Sequence, residues 1–363
     1  MKGTEAENGT IVRLEDVKNN FLAIGHFQNH GSIAVRILTF EEEKIDQEFW
    51  NKKVGSAWAW RKTLLSSNSN TNCFRLIHGE GDGLPGLIVD IYHNAAVIQC
   101  HSYGMYQSRQ DIAAAIRKEL GELITTIYCK SKESLPDKIE EADHFILGEE
   151  SEAIVSENGN LMHVNWVTGQ KTGFFLDQRQ NRLLVQSYSK DAKVLDLFCN
   201  TGGFSLYALK GGAKHVISVD VSQKAIDLLS LNMKENKVKA KQYELVCADV
   251  MQYLKDSTDT FDLIVVDPPA FAKSIQKKHN AVQGYKRLNV LAFKHVKIGG
   301  LVFTFSCSQV IDEELFYNTI VAAAIESGRN FQVVHKLTQG PDHPVNIFHR
   351  EGSYLKGLVL RMF

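Results

Sequence analysis

From about residue 161 onward the chain alternates short apolar runs with stretches of helical periodicity. The runs are Lys193-Val-Leu-Asp-Leu-Phe, Val216-Ile-Ser-Val-Asp, Tyr243-Glu-Leu-Val-Cys, Leu263-Ile-Val-Val-Asp and Leu301-Val-Phe-Thr-Phe. Unbroken apolar runs of this length are the mark of strands buried on both faces, and their alternation with helices predicts a doubly wound α/β sheet. In such a sheet functional residues are expected beyond the carboxyl ends of the strands.

The first half has a different texture. Thr10-Ile-Val-Arg-Leu, Phe21-Leu-Ala-Ile-Gly-His-Phe and Ser32-Ile-Ala-Val-Arg-Ile-Leu are β-type runs divided by Asn and Gly turns, which predicts a small β domain. A charged stretch of helical period covers about residues 41–65, and the polar segment from Ser66 reads as a loop. Phe74-Arg-Leu-Ile-His and Leu87-Ile-Val-Asp-Ile-Tyr flank Gly79-Glu-Gly-Asp-Gly-Leu-Pro-Gly, the pattern of a β-hairpin. A helix over Tyr106 to Leu120 and strands near Thr126 and Glu152 complete an α+β middle region. The expected division is therefore a β domain at 1–50, an α+β domain at 51–160 and an α/β domain at 161–363.

Composition narrows the setting more than the chemistry. Six cysteines are scattered without a C-x-x-C pair, so neither a structural zinc site nor a disulfide framework is expected. No apolar run reaches the length of a membrane span, and the polar, acidic Met1 to Thr10 has no apolar core of a signal peptide. The expectation is a cytoplasmic protein with no metal and no membrane partner. Lys and Arg total 41 against 42 for Asp and Glu, so a nucleic-acid partner would need a local basic patch rather than bulk charge.

The first α/β strand leads into Asp196-Leu-Phe-Cys-Asn-Thr-Gly-Gly-Phe, where Gly202 and Gly203 allow a tight turn close to a ligand. Asp220 ends the second strand, where a carboxylate can accept from both ribose hydroxyls, and Asp249 follows the third, where it can accept from an adenine amine. Each acid alone could simply cap a helix. A nicotinamide dehydrogenase would bring a G-x-G-x-x-G loop onto a pyrophosphate, whereas an isolated glycine pair suits a ligand without phosphates.

Asp267-Pro-Pro-Ala-Phe closes the fourth strand, the prolines stopping the ladder in a rigid turn. Cys307, between two serines, ends the next. Alone it would read as a buried core cysteine. At a strand end beside the acids it is a candidate nucleophile. A thiolate that adds to C6 of a pyrimidine makes C5 electron-rich enough to attack a sulfonium methyl group, and the base must first leave its stack. Basic residues that could meet phosphates are Lys171, Lys273, Lys277, Lys278, His279, Lys286 and Arg287, with Tyr285 among them.

Together these residues resemble the bacterial large-subunit rRNA 5-methylcytosine methyltransferases that carry an N-terminal PUA-like domain. The matching segments are Gly81-Asp-Gly-Leu-Pro-Gly, Lys171-Thr-Gly-Phe-Phe-Leu-Asp-Gln-Arg, Asp267-Pro-Pro-Ala-Phe, Gly284-Tyr-Lys-Arg-Leu-Asn, Phe305-Ser-Cys-Ser, Asp342-His-Pro and Tyr354-Leu-Lys-Gly. The resemblance implies a PUA-like domain, here shortened before Gly9, an EEHEE-like middle domain and a Rossmann-like class I methyltransferase domain with a seven-stranded, mostly parallel sheet. It implies S-adenosylmethionine as cofactor, held by Gln178, Arg179, Asp196, Phe198, Asn200, Gly202, Asp220, Val221, Asp249, Val250 and Asp267. It also implies Asp267 holding the flipped base, Cys307 as nucleophile, and Lys171, Tyr285, Lys286, Arg287 and His343 on the RNA. Ala270 stands where other RNA cytosine methyltransferases have a second cysteine, so no residue is assigned to removal of the C5 proton.

The leading expectation is C5 methylation of a cytosine in large-subunit rRNA. N-methylation of an rRNA purine, a non-catalytic RNA-binding protein and, more distantly, a dehydrogenase are the alternatives, and a homodimer is left open.

Overall fold

The N-terminal β-type runs fold as β1 (Ile11–Glu15), β2 (Phe21–Phe27) and β3 (Val35–Thr39), an antiparallel sheet in that order. The structure, a computed structural model, describes residues 6–29, 31, 33–66, 70–136, 139, 142–272 and 274–363. Residues 1–5 of the polar N-terminus, Ser32 of the third run, residues 67–69 of the polar loop and Lys273 of the basic group lie outside the described residues. The chain folds into two units. The first is Met1–Gly159, Val164–Leu176 and Pro341–Gly352; the second is Asn160–His163, Asp177–Gly340 and Ser353–Phe363.

In the first unit the charged stretch becomes α1 (Gln47–Leu65), later than its periodicity suggested. Asp46 sets its start by accepting from the backbone N–H groups of Glu48 and Phe49, two donors with no partner inside the helix. The expected boundary at residues 50 and 51 falls inside this helix. Next come β4 (Cys73–His78), β5 (Leu87–Tyr92) and β6 (Ala95–Cys100). The expected single helix is broken at Ser108 into α2 (Tyr103–Gln107) and α3 (Arg109–Leu120), after which β7 (Thr126–Lys130) and β8 (Asp143–Leu147) follow. A five-stranded sheet runs β4-β5-β6-β7-β8, with only β6 and β7 parallel. Its apolar face packs under α1 and α3 through Trp50, Val54, Leu76, Val89, Ile98, Ile112 and Ile116, all essentially inaccessible to water. The strand expected near Glu152 is β9 (Glu152–Glu157), which stands outside this sheet.

The strand β10 (Asn160–Asn165) gives its first four residues to the second unit and its last two to the first, and the chain enters the second unit again at Asp177, just before α4 (Arg179–Tyr188). The predicted alternation then follows: β11 (Lys193–Leu197), α5 (Gly203–Lys210), β12 (His215–Asp220), α6 (Gln223–Glu235), β13 (Tyr243–Cys247), α7 (Val250–Asp256), β14 (Phe261–Val266), α8 (Lys278–His295), β15 (Val296–Ser306), α9 (Glu313–Ser327), β16 (Phe331–Leu337) and β17 (Lys356–Met362). The seven strands lie in the order β13-β12-β11-β14-β15-β17-β16. From β13 to β15 neighbours pair in parallel, and β17 runs antiparallel to both β15 and β16. Val194, Leu195, Val219, Ile264, Val265, Val302 and Phe303 are almost completely buried, as strands covered on both faces require. Strand order reverses between β11 and β14, and in open α/β sheets such a switch point is where a crevice opens at the carboxyl ends of the parallel strands.

Candidate active site at the carboxyl ends of the parallel strands

The turn leaving β11 is unusual in its backbone. Phe198, Asn200 and Gly202 have φ of 60°, 47° and 83°, so alternate residues lie in the left-handed region. For Phe198 that conformation is costly and persists only where surrounding bonds enforce it. Those bonds are present. Cys199 N–H donates to the Val219 carbonyl at 3.1 Å, Asn200 N–H to the Asp220 carboxylate at 3.0 Å, and Thr201 N–H to the Asn200 side chain at 2.7 Å. Gly202 is required twice over: its φ is positive, and a Cβ there would stand 1.9 Å from Leu229 Cδ1.

Asp220 also accepts from Ser222 N–H at 2.9 Å, so its carboxylate ties the first loop to the second. Asp249 is exposed and caps α7 by accepting from Gln252 N–H at 2.9 Å. Both acids thus have capping work, and lone pairs remain for a ligand. Asp196 differs. It lies within β11, is 1% exposed, and one of its oxygens accepts from Ser205 at 2.6 Å while the other is buried without a hydrogen-bond partner. Burial pushes its pKa up to about 7, against the pull of the Ser205 bonds. Val250 is buried at the head of α7, and Val221 is 70% exposed beside Asp220.

Across the switch point, Gln178 donates to Asp267 at 3.0 Å and accepts from Asn181 at 2.6 Å, which fixes which end of the amide faces the acid. Arg179 is buried at the start of α4. Cys307 follows β15 directly and is half-buried. Ser308 beyond it is anchored by its hydroxyl on the Ala272 carbonyl at 2.8 Å. Lys356, at the head of β17 opposite Ser306, donates to the carbonyls of Ser308 at 2.7 Å and Tyr354 at 2.6 Å. The sequence assigns this lysine no role, although it stands in the matching segment Tyr354-Leu-Lys-Gly, because it merely opens an apolar run. Its further signal is a cation directly before a run of buried residues, Gly357 to Leu360.

Three expected RNA-contacting residues are placed differently from expectation. Tyr285 is fully buried, its ring 4.6 Å from Phe271 and 6.0 Å from Phe316, and burial pushes its hydroxyl up to about 12. It is a wall of the core, not a surface contact. His343 is 2% exposed in the first unit, bonded to Asp342 at 3.1 Å and packed on His78, so it too is structural there. Lys286 is engaged by Glu326 at 2.8 Å. Arg287 is exposed on α8, and Lys171 is exposed in the first unit with its ammonium 4.7 Å over the Phe175 ring. The cofactor candidates, Asp267 and Cys307 all lie in the second unit, as do Tyr285, Lys286 and Arg287, whereas Lys171 and His343 belong to the first. Among the described residues no cluster of His, Cys, Asp and Glu is arranged to hold a metal ion, and no helix is long and apolar enough to cross a membrane.

A switch point with a strained loop, acids beyond successive strands and a half-buried thiol is an arrangement that suits a class I methyltransferase, and the comparisons with known proteins bear on that class directly. The family model for S-adenosylmethionine-dependent methyltransferases matches residues 115–359, and that for the PUA-like domain matches residues 1–40. The chain is 38% identical over 361 residues to ribosomal RNA large subunit methyltransferase I of Pseudoalteromonas atlantica, covering 98% of this chain and 91% of that one. It is 38% identical over 366 residues to the protein of the same name from Tolumonas auensis, covering 98% and 91%. A solved structure described as a putative S-adenosylmethionine-dependent methyltransferase from Streptococcus mutans shares the fold with a TM-score of 0.85, at 22% identity over 99% of this chain and 93% of that one. The chain belongs to the ribosomal RNA large subunit methyltransferase I family, and its cofactor is S-adenosylmethionine. The unpartnered, buried oxygen of Asp196 fits a ligand that carries a cationic amine and a sulfonium.

Proposed function

We propose that this protein methylates C5 of a cytosine in large-subunit ribosomal RNA, with Cys307 as covalent nucleophile. The observation that carries the reading is a half-buried thiol at the β15 end of the cofactor crevice, in a chain 38% identical to rRNA methyltransferases. A purine N-methyltransferase needs no nucleophile there.

Asn200, Gly202, Asp220 and Asp249 would hold the cofactor's nucleoside end, with Val221 and Val250 beside the ring and Asp196 toward the amino-acid end. Gln178, Arg179 and Phe198 complete that side. The bound cofactor supplies an electrophilic methyl group. Asp267, oriented by Gln178, can accept from the exocyclic amine of a cytosine turned out of its stack. Cys307 Sγ would bond to C6 and so make C5 nucleophilic toward the methyl group the cofactor would supply, the sulfonium leaving as a neutral thioether; water would take the C5 proton as the S–C6 bond broke to return the thiolate. Exposed Arg287 and Lys171 would meet phosphates, each as a positioning contact without sequence information. Action on ribosomal RNA would set the protein in the cytoplasm.

Base-resolution mapping of 5-methylcytosine in rRNA transcripts, incubated with the protein and S-adenosylmethionine, tests the proposal. One methylated cytosine is expected, with loss of at least a thousandfold in rate for Cys307→Ala, on the order of what removal of a covalent nucleophile costs. Undiminished activity in that variant, or methyl groups on a purine nitrogen, would overturn it.

A further inference from the structure

A lysine buried inside a sheet needs a reason, since desolvating an ammonium costs far more than placing an apolar side chain there. Lys356 begins β17, a strand whose next residues, Gly357 to Leu360, are all buried. Its backbone pairs with Ser306, and its Nζ reaches the carbonyl of Ser308. The side chain therefore runs from opposite the residue before Cys307 to the residue after it. The ammonium is held there by two carbonyls, those of Ser308 and Tyr354.

We propose that Lys356 is the positioning residue that holds Cys307 as the thiolate. The proposal rests on the reading of Cys307 as nucleophile and adds what makes that thiol reactive. Burial lowers the lysine to about 8, while a charge on Cys307, and Asp312 to a lesser degree, raises it. Thiolate and ammonium thus favour each other. The other groups around the pair are Tyr285 from α8, Asp267 beyond β14, and Asp312 at the head of α9, which Lys278 approaches to 3.8 Å. Tyr285 stays neutral and the two carboxylates oppose a thiolate. Lys356 is a buried cation flanking Cys307 that opposes their effect. It exchanges no proton in the reaction: Cys307 adds as a thiolate and leaves as one.

The test needs no RNA. The pH profile of iodoacetamide labelling at Cys307 is followed by peptide mass spectrometry, with exposed Cys247 as internal reference. In the unaltered protein the Cys307 midpoint is expected below the ordinary thiol value of about 8.5. Lys356→Gln can still donate to both carbonyls but lacks the charge. It is expected to raise the midpoint by about one unit, so that labelling near neutral pH falls about tenfold. Lys356→Arg should restore most of that rate. A wild-type midpoint at or above about 8.5, or a Gln variant with an unshifted profile, would overturn the proposal. Should Lys356→Gln lose its cooperative thermal transition, the wild-type midpoint alone still decides. The outcome is separable from the functional reading. A shifted thiol together with methylation that survives Cys307→Ala would sink the nucleophile and leave the ion pair standing.

Discussion

Among single residues, Asp196 carries the clearest conflict between stability and function. It is buried, half of its carboxylate is without a hydrogen-bond partner, and its pKa is raised to about 7. A raised acid binds its proton more tightly in the folded state than in the unfolded one. The folded chain therefore holds more protons between the ordinary aspartate range and about pH 7, and stability from this group falls as pH rises across that window. Asp196→Asn removes the titration and keeps a polar group of the same shape. Without cofactor, the variant is expected to lose less stability than the parent between pH 5 and pH 7.5, the difference being a few kcal/mol at ~1.4 kcal/mol per pKa unit. It should also bind S-adenosylmethionine more weakly, because the cationic end loses its counter-charge. Paired thermal melts and calorimetric titrations at the two pH values check both. Parallel pH curves for the two proteins would mean that the Asp196 charge is not being suppressed by burial.

At the scale of elements, the turn from β11 into α5 is where local sequence and backbone geometry meet. Phe198 and Asn200 are left-handed because Asp220, the Val219 carbonyl and the Asn200 side chain take up the loop's N–H groups. Gly202→Ala would force either the loop or Leu229 to move, at a cost of about 1–3 kcal/mol for overpacking, and would carry Asn200 with it. A lowered melting temperature together with cofactor binding weakened at least tenfold is expected. A variant that melts as the parent does and binds normally would show that the loop has slack. Much of this architecture was legible beforehand. Buried parallel strands announce themselves as unbroken apolar runs, so β11, β12, β14 and β15, and with them Asp196, Asp220, Asp267 and Cys307, could be placed from pattern alone. The break between α2 and α3 was not legible, because apolar periodicity continues across Ser108 while the chain turns there. Nor were Tyr285 and His343, whose residue types suit a surface but whose burial is decided by Phe271, Phe316, Asp342 and His78. Lys356 escaped for the converse reason: a charge at the head of a strand reads as solvent-facing until the partner strand is known.

On the scale of the whole molecule, the chain is threaded so that its last third contributes Pro341–Gly352 to the first unit before returning to complete the sheet of the second. What holds that segment is a buried polar cluster built from motifs that look, in sequence, like functional ones. Arg61 is wholly buried and donates to both carboxylate oxygens of Asp82, to the Arg75 carbonyl at 2.8 Å and to the Asp342 carbonyl at 2.8 Å. The Asp342 carboxylate accepts from Arg75 N–H at 3.1 Å, and Trp60 donates to the Pro341 carbonyl at 3.1 Å. Gly81-Asp-Gly and Asp342-His-Pro are therefore two halves of one internal clamp. Arg61→Met removes four of these donations and leaves the Asp82 charge without its cation in a dry site, which costs about 3–5 kcal/mol. Urea unfolding should show that loss. Limited proteolysis should show new cleavage within residues 341–352, since the Asp342 carbonyl then lacks its partner. Adding Asp82→Leu removes the stranded charge and should recover part of the stability without restoring protection of the segment, because the Asp342 carbonyl still has no donor. A single variant that costs less than about 1 kcal/mol, or proteolysis confined to sites already cut in the parent, would mean the clamp is dispensable and the segment is held by its apolar contacts instead.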